Sequence, residues 1–264
     1  MDPEKKSILW KLKFALFPKT RELIEVPPVE GFSKYLVVSP HPDDGDLFAG
    51  GLVAKLRDSG KEVVYLIVTD GSRGTLDEGM NGESLASLRR REEENAARIL
   101  KVERIIFWDL PDGDLPIRRE LRDRFIEIYR KEKPECVLLP DPFLPYEFHP
   151  DHVLVGLAGG EAVIFSPMPL FLPEVKPPHE VKLVAFYASH RPNQFLDISP
   201  YYERKMRAVR EHKSQFSDSV LPLLEAYSYW KSREWARGKG MKLAEGFKVL
   251  TPTHLHTGID SWEV

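Results

Sequence analysis

Short apolar runs alternate with stretches of helical character along most of this chain, and that alternation limits the fold class. The runs typical of strands lie near residues 35–39, 62–68, 104–108, 136–140 and 182–188. Helices are predicted near residues 46–59, 84–100, 118–131, 151–163 and 201–213, with further helix between 219 and 237. Strands that alternate with helices indicate an α/β protein with crossover connections. We therefore expect a Rossmann-like, mostly parallel sheet flanked by helices, with its active site at the C-terminal strand ends.

Two segments that each begin His-Pro-Asp carry the chemistry. They are His41–Asp44, which directly follows the apolar run Tyr35–Ser39, and His149–His152. Together they supply three metal-type ligands, a spare carboxylate and a spare imidazole, which is the inventory of a hydrolytic zinc site. One such segment alone is a common turn. Two of them, each placed where a strand or loop gives way to a helix, favour a metal site over a pair of turns.

These residues resemble the zinc-dependent N-deacetylases of the PIG-L/LmbE type, which remove acetyl groups from N-acetylglucosamine-containing molecules. The resemblance spans about residues 35–249. It rests on the two segments above and on four others: Thr69–Thr75, Arg89–Ala97, Pro111–Leu115 and Ala244–Phe247. Many members carry Glu after the Asp pair, whereas this chain has Gly45. In that departure it resembles the archaeal diacetylchitobiose deacetylase branch, and diacetylchitobiose or N-acetylglucosamine is the substrate so implied.

The resemblance also implies roles for the two segments. His41, Asp44 and His152 are the expected Zn²⁺ ligands, Asp43 the general base, and a protonated His149 the electrophile or acid. A bound zinc ion lowers the pKa of water toward 7, so a nucleophile exists at neutral pH. A carboxylate beside a ligand can take the water's proton and pass it to the leaving amine.

Asp151 is expected among the catalytic residues, where it would orient or charge an imidazole from behind. The alternative for Asp151 is a helix N-cap, because Asp is a favoured capping residue. Asp112 stands where the family places a sugar-binding carboxylate. An Asp-Gly turn explains Asp112 equally without that role.

Arginine and glutamate share one predicted helix. Arg89 and Glu93, like Arg90 and Glu94, are four residues apart, a spacing typical of a solvated, salt-bridged face. The resemblance instead implies that one arginine enters the site. We expect Arg89 to bind sugar hydroxyls, with Arg90 as the alternative.

Residues 250–258 follow the last family element and are too polar for core, with imidazoles at His254 and His256. The resemblance implies a closed homo-oligomer such as a hexamer, in which C-terminal residues reach a neighbour's pocket. We therefore expect His254 at the substrate rim, with an unassigned exposed tail as the alternative.

Composition excludes several classes of protein. The 264 residues carry a net charge of −3 and show no strongly basic patch, so nucleic acid is not an expected partner. The single cysteine, Cys136, allows no internal disulfide and favours a cytoplasmic location. No run approaches the roughly 20 apolar residues of a membrane span. Three Asn and two Gln are few, as in thermophile proteins.

We expect a helical N-terminal extension over residues 1–30 and a single deacetylase domain over 31–264. Residues 8–17 are amphipathic, and we expect them to pack on protein rather than lie on a membrane.

Two competing functions stay open. One is a non-catalytic, Rossmann-like ligand-binding protein, although no Gly-rich phosphate fingerprint follows the first strand. The other is a metal-dependent amidase that acts on a non-sugar or glycolipid amide. The sequence favours a zinc-dependent hydrolase that acts on a small amino sugar.

Overall fold

The computed structural model describes residues 24–258 and 261–264. The amphipathic segment at 8–17 and most of the expected N-terminal extension lie outside the described residues. Val29, which the sequence placed in that extension, is fully buried in the core.

Seven strands form the sheet, in the order β3-β2-β1-β4-β5-β7-β6. The first five are parallel, while β7 runs antiparallel to both β5 and β6. Their bounds are β1 Lys34–Ser39, β2 Glu62–Thr69, β3 Arg104–Leu110, β4 Cys136–Pro140, β5 Leu183–Tyr187, β6 Gln194–Asp197 and β7 Ala244–Leu250.

Seven α-helices connect and follow these strands within the described residues. Their bounds are α1 Asp44–Asp58, α2 Gly82–Leu100, α3 Arg118–Glu132, α4 Pro150–Phe165, α5 Tyr202–Val209, α6 Leu221–Ala236 and α7 Pro252–His256. None of the described helices is long and apolar enough to cross a membrane.

Helices cover both faces of the sheet because alternate strand residues point to opposite sides. On β1, Tyr35 and Val37 pack in one hydrophobic cluster with residues of α1, α2 and α5. Leu36 and Val38 pack in the other, against α3 and α4. The predicted α/β fold with a mostly parallel sheet is confirmed.

The sequence prediction missed β6, β7 and α7, and it extended α5 four residues too far. Strand β7 is fully buried although it carries Glu245 and Lys248. The Glu245 carboxylate pairs with Lys205 at 2.8 Å and accepts backbone N–H groups from Gly51 and Leu52. A Cβ at Gly51 would stand 2.9 Å from Glu245 Oε1, so the glycine permits this close approach of α1 and β7.

Candidate metal centre

The two His-Pro-Asp segments meet because they follow neighbouring strands. β1 pairs in parallel with β4, with Tyr35 opposite Cys136. His41 comes two residues after β1, and His152 lies in the first turn of α4, which follows β4. The strand order reverses between β1 and β4, and such a switch point is the usual ligand crevice of an open α/β sheet. Side chains 111 residues apart are thereby brought together.

Three ligand-type side chains, His41, Asp44 and His152, converge in this crevice and are called the outer cluster below. His41 Nδ1 lies 3.3 Å from His152 Nε2. One Asp44 oxygen is 3.4 Å from His41 Nδ1, and the other is 3.4 Å from His152 Nε2. Tetrahedral zinc with bonds of about 2.0–2.1 Å separates its ligand atoms by about 3.3–3.4 Å. The two ring nitrogens therefore stand at tetrahedral spacing, and Asp44 offers a different oxygen to each of them.

Two carboxylates fix the orientation of His41 by contacting the ring nitrogen that faces away from Asp44 and His152. His41 Nε2 lies 3.1 Å from Asp151 Oδ2 and 3.2 Å from Asp112 Oδ1. Those carboxylates also accept backbone N–H groups, Asp151 from Gly113 and Asp112 from Arg73. Such a carboxylate fixes the tautomer of a metal-binding histidine, here with Nδ1 left free for the metal.

The pKa values reflect this excess of anions. Burial opposes a charged imidazole, yet the hydrogen bonds to Asp112 and Asp151 raise the pKa of His41 to about 11. Burial likewise opposes ionisation of Asp44, but the nearby His152 and His41 hold the pKa of that carboxyl well below its usual range. Four carboxylates, those of Asp43, Asp44, Asp112 and Asp151, face a single guanidinium. A divalent cation bound among them would offset two of the three excess negative charges.

Glu147 supports the second imidazole and was missed from the sequence. Its Oε2 lies 3.5 Å from His152 Nδ1, and its other oxygen accepts the backbone N–H of His149. The only sequence signal was a carboxylate two residues before the His-Pro-Asp-His segment.

Asp43 is held beside the outer cluster in a strained backbone conformation. Its φ of 130° is rare for any residue but glycine, and such strain costs on the order of 1–3 kcal/mol. Burial raises the pKa of Asp43 to about 6, with Asp44 adding to the rise and Arg89 opposing it. A carboxylate with a pKa near neutrality suits proton transfer.

Arg89 faces this site, and Arg90 does not. The Arg89 guanidinium is 3.2 Å from Asp43 Oδ2 and donates to the carbonyls of Pro42 and Gly71. Arg90 pairs instead with Asp109 at 2.5 Å. The solvated face indicated by the four-residue spacing is therefore wrong for Arg89 and Glu93, which are 3% and 1% exposed.

His149 occupies the N-cap of α4, where its Nδ1 accepts the N–H of Asp151 at 3.3 Å. Its ring meets that of His41 edge-on, with 4.5 Å between centroids. Burial lowers the pKa of His149, and His41 and His152 lower it further. With Nδ1 accepting the N–H of Asp151, the proton of a neutral His149 ring lies on Nε2, and the expected protonated imidazole stays a prediction.

His254 is not in a polar tail. It lies in α7, is 5% exposed, and its Nδ1 meets the hydroxyl of Thr251 at 2.8 Å in a helix cap. Within residues 250–258 only Leu250 and His254 are buried, so the expectation that this segment is too polar for core is wrong for His254. Its Nε2 has no hydrogen-bond partner among the described residues.

A second group of ligand-type side chains, called the inner cluster, consists of Asp46, Glu93 and His212, all at most 1% exposed. His212 Nε2 lies 2.9 Å from Asp46 Oδ2, and the hydroxyl of Tyr65 donates to Asp46 Oδ1. Neither Glu93 oxygen has a hydrogen-bond partner in the described part of the chain. Burial, with Asp46 and Asp43 nearby, raises the pKa of Glu93 well above its ordinary value.

Known proteins resemble this chain in sequence and in fold. The PIG-L family model, GlcNAc-PI de-N-acetylase, matches residues 36–163, which include both His-Pro-Asp segments. A diacetylchitobiose deacetylase from Thermococcus kodakarensis is 44% identical over 233 residues, 87% of each chain. The solved N,N'-diacetylchitobiose deacetylase from Pyrococcus horikoshii, complexed with its inhibitor MPG, matches with a TM-score of 0.87 at 34% identity. That match covers 100% of this chain and 99% of the other.

A more distant relative has another activity. A 4-oxalmesaconate hydratase from Pseudomonas putida is 29% identical over 187 residues, 66% of this chain and 71% of its own.

Proposed function

Since this chain belongs to the PIG-L family of de-N-acetylases, we propose that it is a zinc-dependent deacetylase of N-acetylglucosamine-containing sugars. Diacetylchitobiose is the foremost proposed substrate, because the relative at 44% identity carries that name. The reaction consumes one water molecule and converts the acetamide to acetate and a free amine. The observation that carries the proposal is the outer cluster beside Asp43, in which the His41 and His152 ring nitrogens stand 3.3 Å apart and Asp44 places one oxygen 3.4 Å from each.

Family deacetylases depend on a metal, and zinc is the ion that we propose for His41, Asp44 and His152. Two imidazoles and one carboxylate are a ligand set that zinc enzymes use, with one position left open. Zinc bound there supplies a Lewis acid and a water molecule of lowered pKa.

Asp43 is the proposed general base. It takes a proton from the attacking water and later delivers it to the nitrogen of the leaving amine. Burial raises the pKa of this carboxyl to about 6, which strengthens it as a base. Arg89, which holds Asp43 and the carbonyl of Pro42, positions this base, and it is also the proposed contact for sugar hydroxyls.

His149 is the proposed electrophile. With Nδ1 accepting the N–H of Asp151, the neutral ring carries its proton on Nε2 and can donate it to the developing oxyanion. Asp151 acts through His41, which it orients. Asp112 remains a proposed sugar-binding carboxylate, although one of its oxygens already faces His41 and the other accepts the N–H of Arg73.

Assembly and location complete the proposal. We propose a homo-oligomer, such as a hexamer, in which His254 lies near a substrate rim, and a single deacetylase domain over residues 31–264. Light scattering that gives a 30.4 kDa monomer at all working concentrations would contradict the shared site.

A cytoplasmic location is supported by the single, buried Cys136. Thermophile homologues agree with the low amide content.

One experiment tests the activity. Metal content of the purified protein is measured together with amine and acetate release from N-acetylglucosamine and diacetylchitobiose, before and after chelation and zinc return. We expect about one zinc per chain and equal release of amine and acetate, lost on chelation and restored by zinc. Metal without amine release from either sugar would contradict deacetylation of these sugars. In that case, hydration of an unsaturated acid and hydrolysis of non-sugar amides would be assayed next.

A further inference from the structure

A groove of about 420 Å³ opens beside the outer cluster. The metal ligand His152 and its supporting Glu147 lie in one wall, and helix α6 forms another. Its volume falls within the range of about 300–1,000 Å³ that is usual for small-molecule sites. The groove is therefore large enough to hold a part of the substrate beyond the acetamide.

One face of α6 shapes the groove. Tyr227, Lys231 and Trp235 are four residues apart, so they lie in a row along one side of the helix, over roughly 12 Å. Phe48 of α1 also lines the groove, and its ring stacks on Tyr187 at an interplanar angle of 8°. The groove thus combines a packed ring on one element with a row of accessible side chains on another.

The lining is mainly apolar and includes a few polar groups. The aromatic residues Tyr227, Trp235 and Phe48 and several aliphatic side chains line it together with Ser189, Lys231 and Glu147. A sugar ring presents apolar C–H faces and hydroxyl edges, so both kinds of lining find partners on it. An acyl chain would leave the polar groups without partners, which is costly on burial.

Helix α6 lies outside residues 36–163, the part of the chain that matches the family model. Resting on the proposed function, we propose that this groove binds the second sugar of a disaccharide whose first sugar presents its acetamide to the outer cluster. The groove then makes the enzyme prefer diacetylchitobiose over N-acetylglucosamine.

The test compares two substrates in one variant. Tyr227→Ala and Trp235→Ala are assayed as zinc-loaded full-length proteins on diacetylchitobiose and on N-acetylglucosamine. We expect the ratio of kcat/KM for the disaccharide to kcat/KM for the monosaccharide to fall about tenfold, the loss of one stacking contact and its buried area. Tyr227 is 64% exposed, so its truncation leaves the core intact even if Trp235→Ala is unstable.

Trp230→Ala is the matched control. Trp230 is an aromatic residue of the same helix, is 62% exposed, and is near Tyr229 and Arg233 rather than the groove. We expect its substrate ratio to equal that of the wild type.

Several results would overturn the groove proposal. Equal fold losses of kcat/KM on both sugars would place the first sugar there, and unchanged kcat/KM on both sugars in both variants would remove the groove from recognition. A changed oligomeric mass with an unchanged ratio would assign the groove to subunit contact. A gain in rate from a hexyl chain on N-acetylglucosamine, lost in Tyr227→Ala, would assign it to an apolar aglycone. If the wild type releases amine from neither sugar, the proposed function fails first and takes this inference with it.

Discussion

The outer and inner clusters use the same kinds of side chain and share helix α1, yet they differ in access. The outer cluster takes Asp44 from α1, and its His152 side chain is 18% exposed beside a groove. The inner cluster takes Asp46, two residues on, and is sealed at 0–1% exposure. Composition alone therefore does not identify a metal centre.

The two clusters also differ in how each imidazole is held. In the outer cluster a carboxylate behind His41 occupies one ring nitrogen and leaves the other facing two further ligand atoms. In the inner cluster the carboxylate of Asp46 takes His212 Nε2 directly at 2.9 Å, and Nδ1 has no partner among the residues described. We infer that the outer cluster is arranged to bind a metal ion, whereas the inner cluster keeps a proton on Glu93.

Loss of a ligand gives the largest expected effect. His152→Ala should lose both zinc and activity, because two ligands do not retain the ion. His212→Gln, which keeps a donor for Asp46, should keep its zinc and lose mainly thermal stability. Metal analysis and melting curves of both variants check this. Full zinc occupancy in His152→Ala would remove this residue from the ligand set.

Loss of the base comes next. Asp43→Asn keeps the shape of the side chain and removes its basicity, so kcat should fall by about 10²–10⁴ while zinc remains. The matched change Asp46→Asn in the inner cluster should keep kcat and lower Tm. Zinc loss in Asp43→Asn, with Asp44→Asn fully active, would mean that base and ligand have been exchanged.

The two neighbouring arginines offer a smaller contrast. Arg89→Lys keeps the charge but loses the planar fork that joins Asp43 to two carbonyls, so kcat/KM should fall about 10–100-fold. Arg90→Lys, whose partner Asp109 is exposed, should change kcat/KM less than about twofold. Steady-state rates on one acetylated sugar decide between them. A larger loss in Arg90→Lys would reverse their assignment.

The smallest effect concerns the proton of Glu93. Its folded pKa is raised well above the ordinary 4.5, so the folded state keeps a proton that the unfolded chain releases as pH rises through that value. Stability then falls with rising pH, and Glu93→Gln removes this slope. The free energy of unfolding of the variant, relative to wild type, should grow by up to about 1.4 kcal/mol per pH unit as the pH rises above the ordinary pKa of a glutamate, which denaturant unfolding at a series of pH values measures. A difference independent of pH would show that Glu93 is ionised in the fold.

Sequence patterns predicted the five parallel strands because their apolar runs are continuous. They missed β7 because Glu245 interrupts the apolar pattern, and its partner Lys205 is 40 residues away. Arg89 and Glu93 were expected on a solvated face for the same reason. Their neighbours, Asp43 beside Arg89 and the other two members of the inner cluster beside Glu93, come from distant segments of the chain. Local sequence shows which groups can ionise, whereas the fold decides which of them are buried together.

The single thiol of this chain follows from its place in the sheet. Cys136 is fully buried on β4, opposite Tyr35 of β1 and Leu183 of β5. Burial raises the pKa of its thiol, so a thiol reagent meets it only when the core around it opens. The rate of its chemical modification therefore reports the opening of this core without any introduced label. Rates measured with zinc and after chelation would give the contribution of an ion bridging the β1 and β4 segments to keeping this core closed.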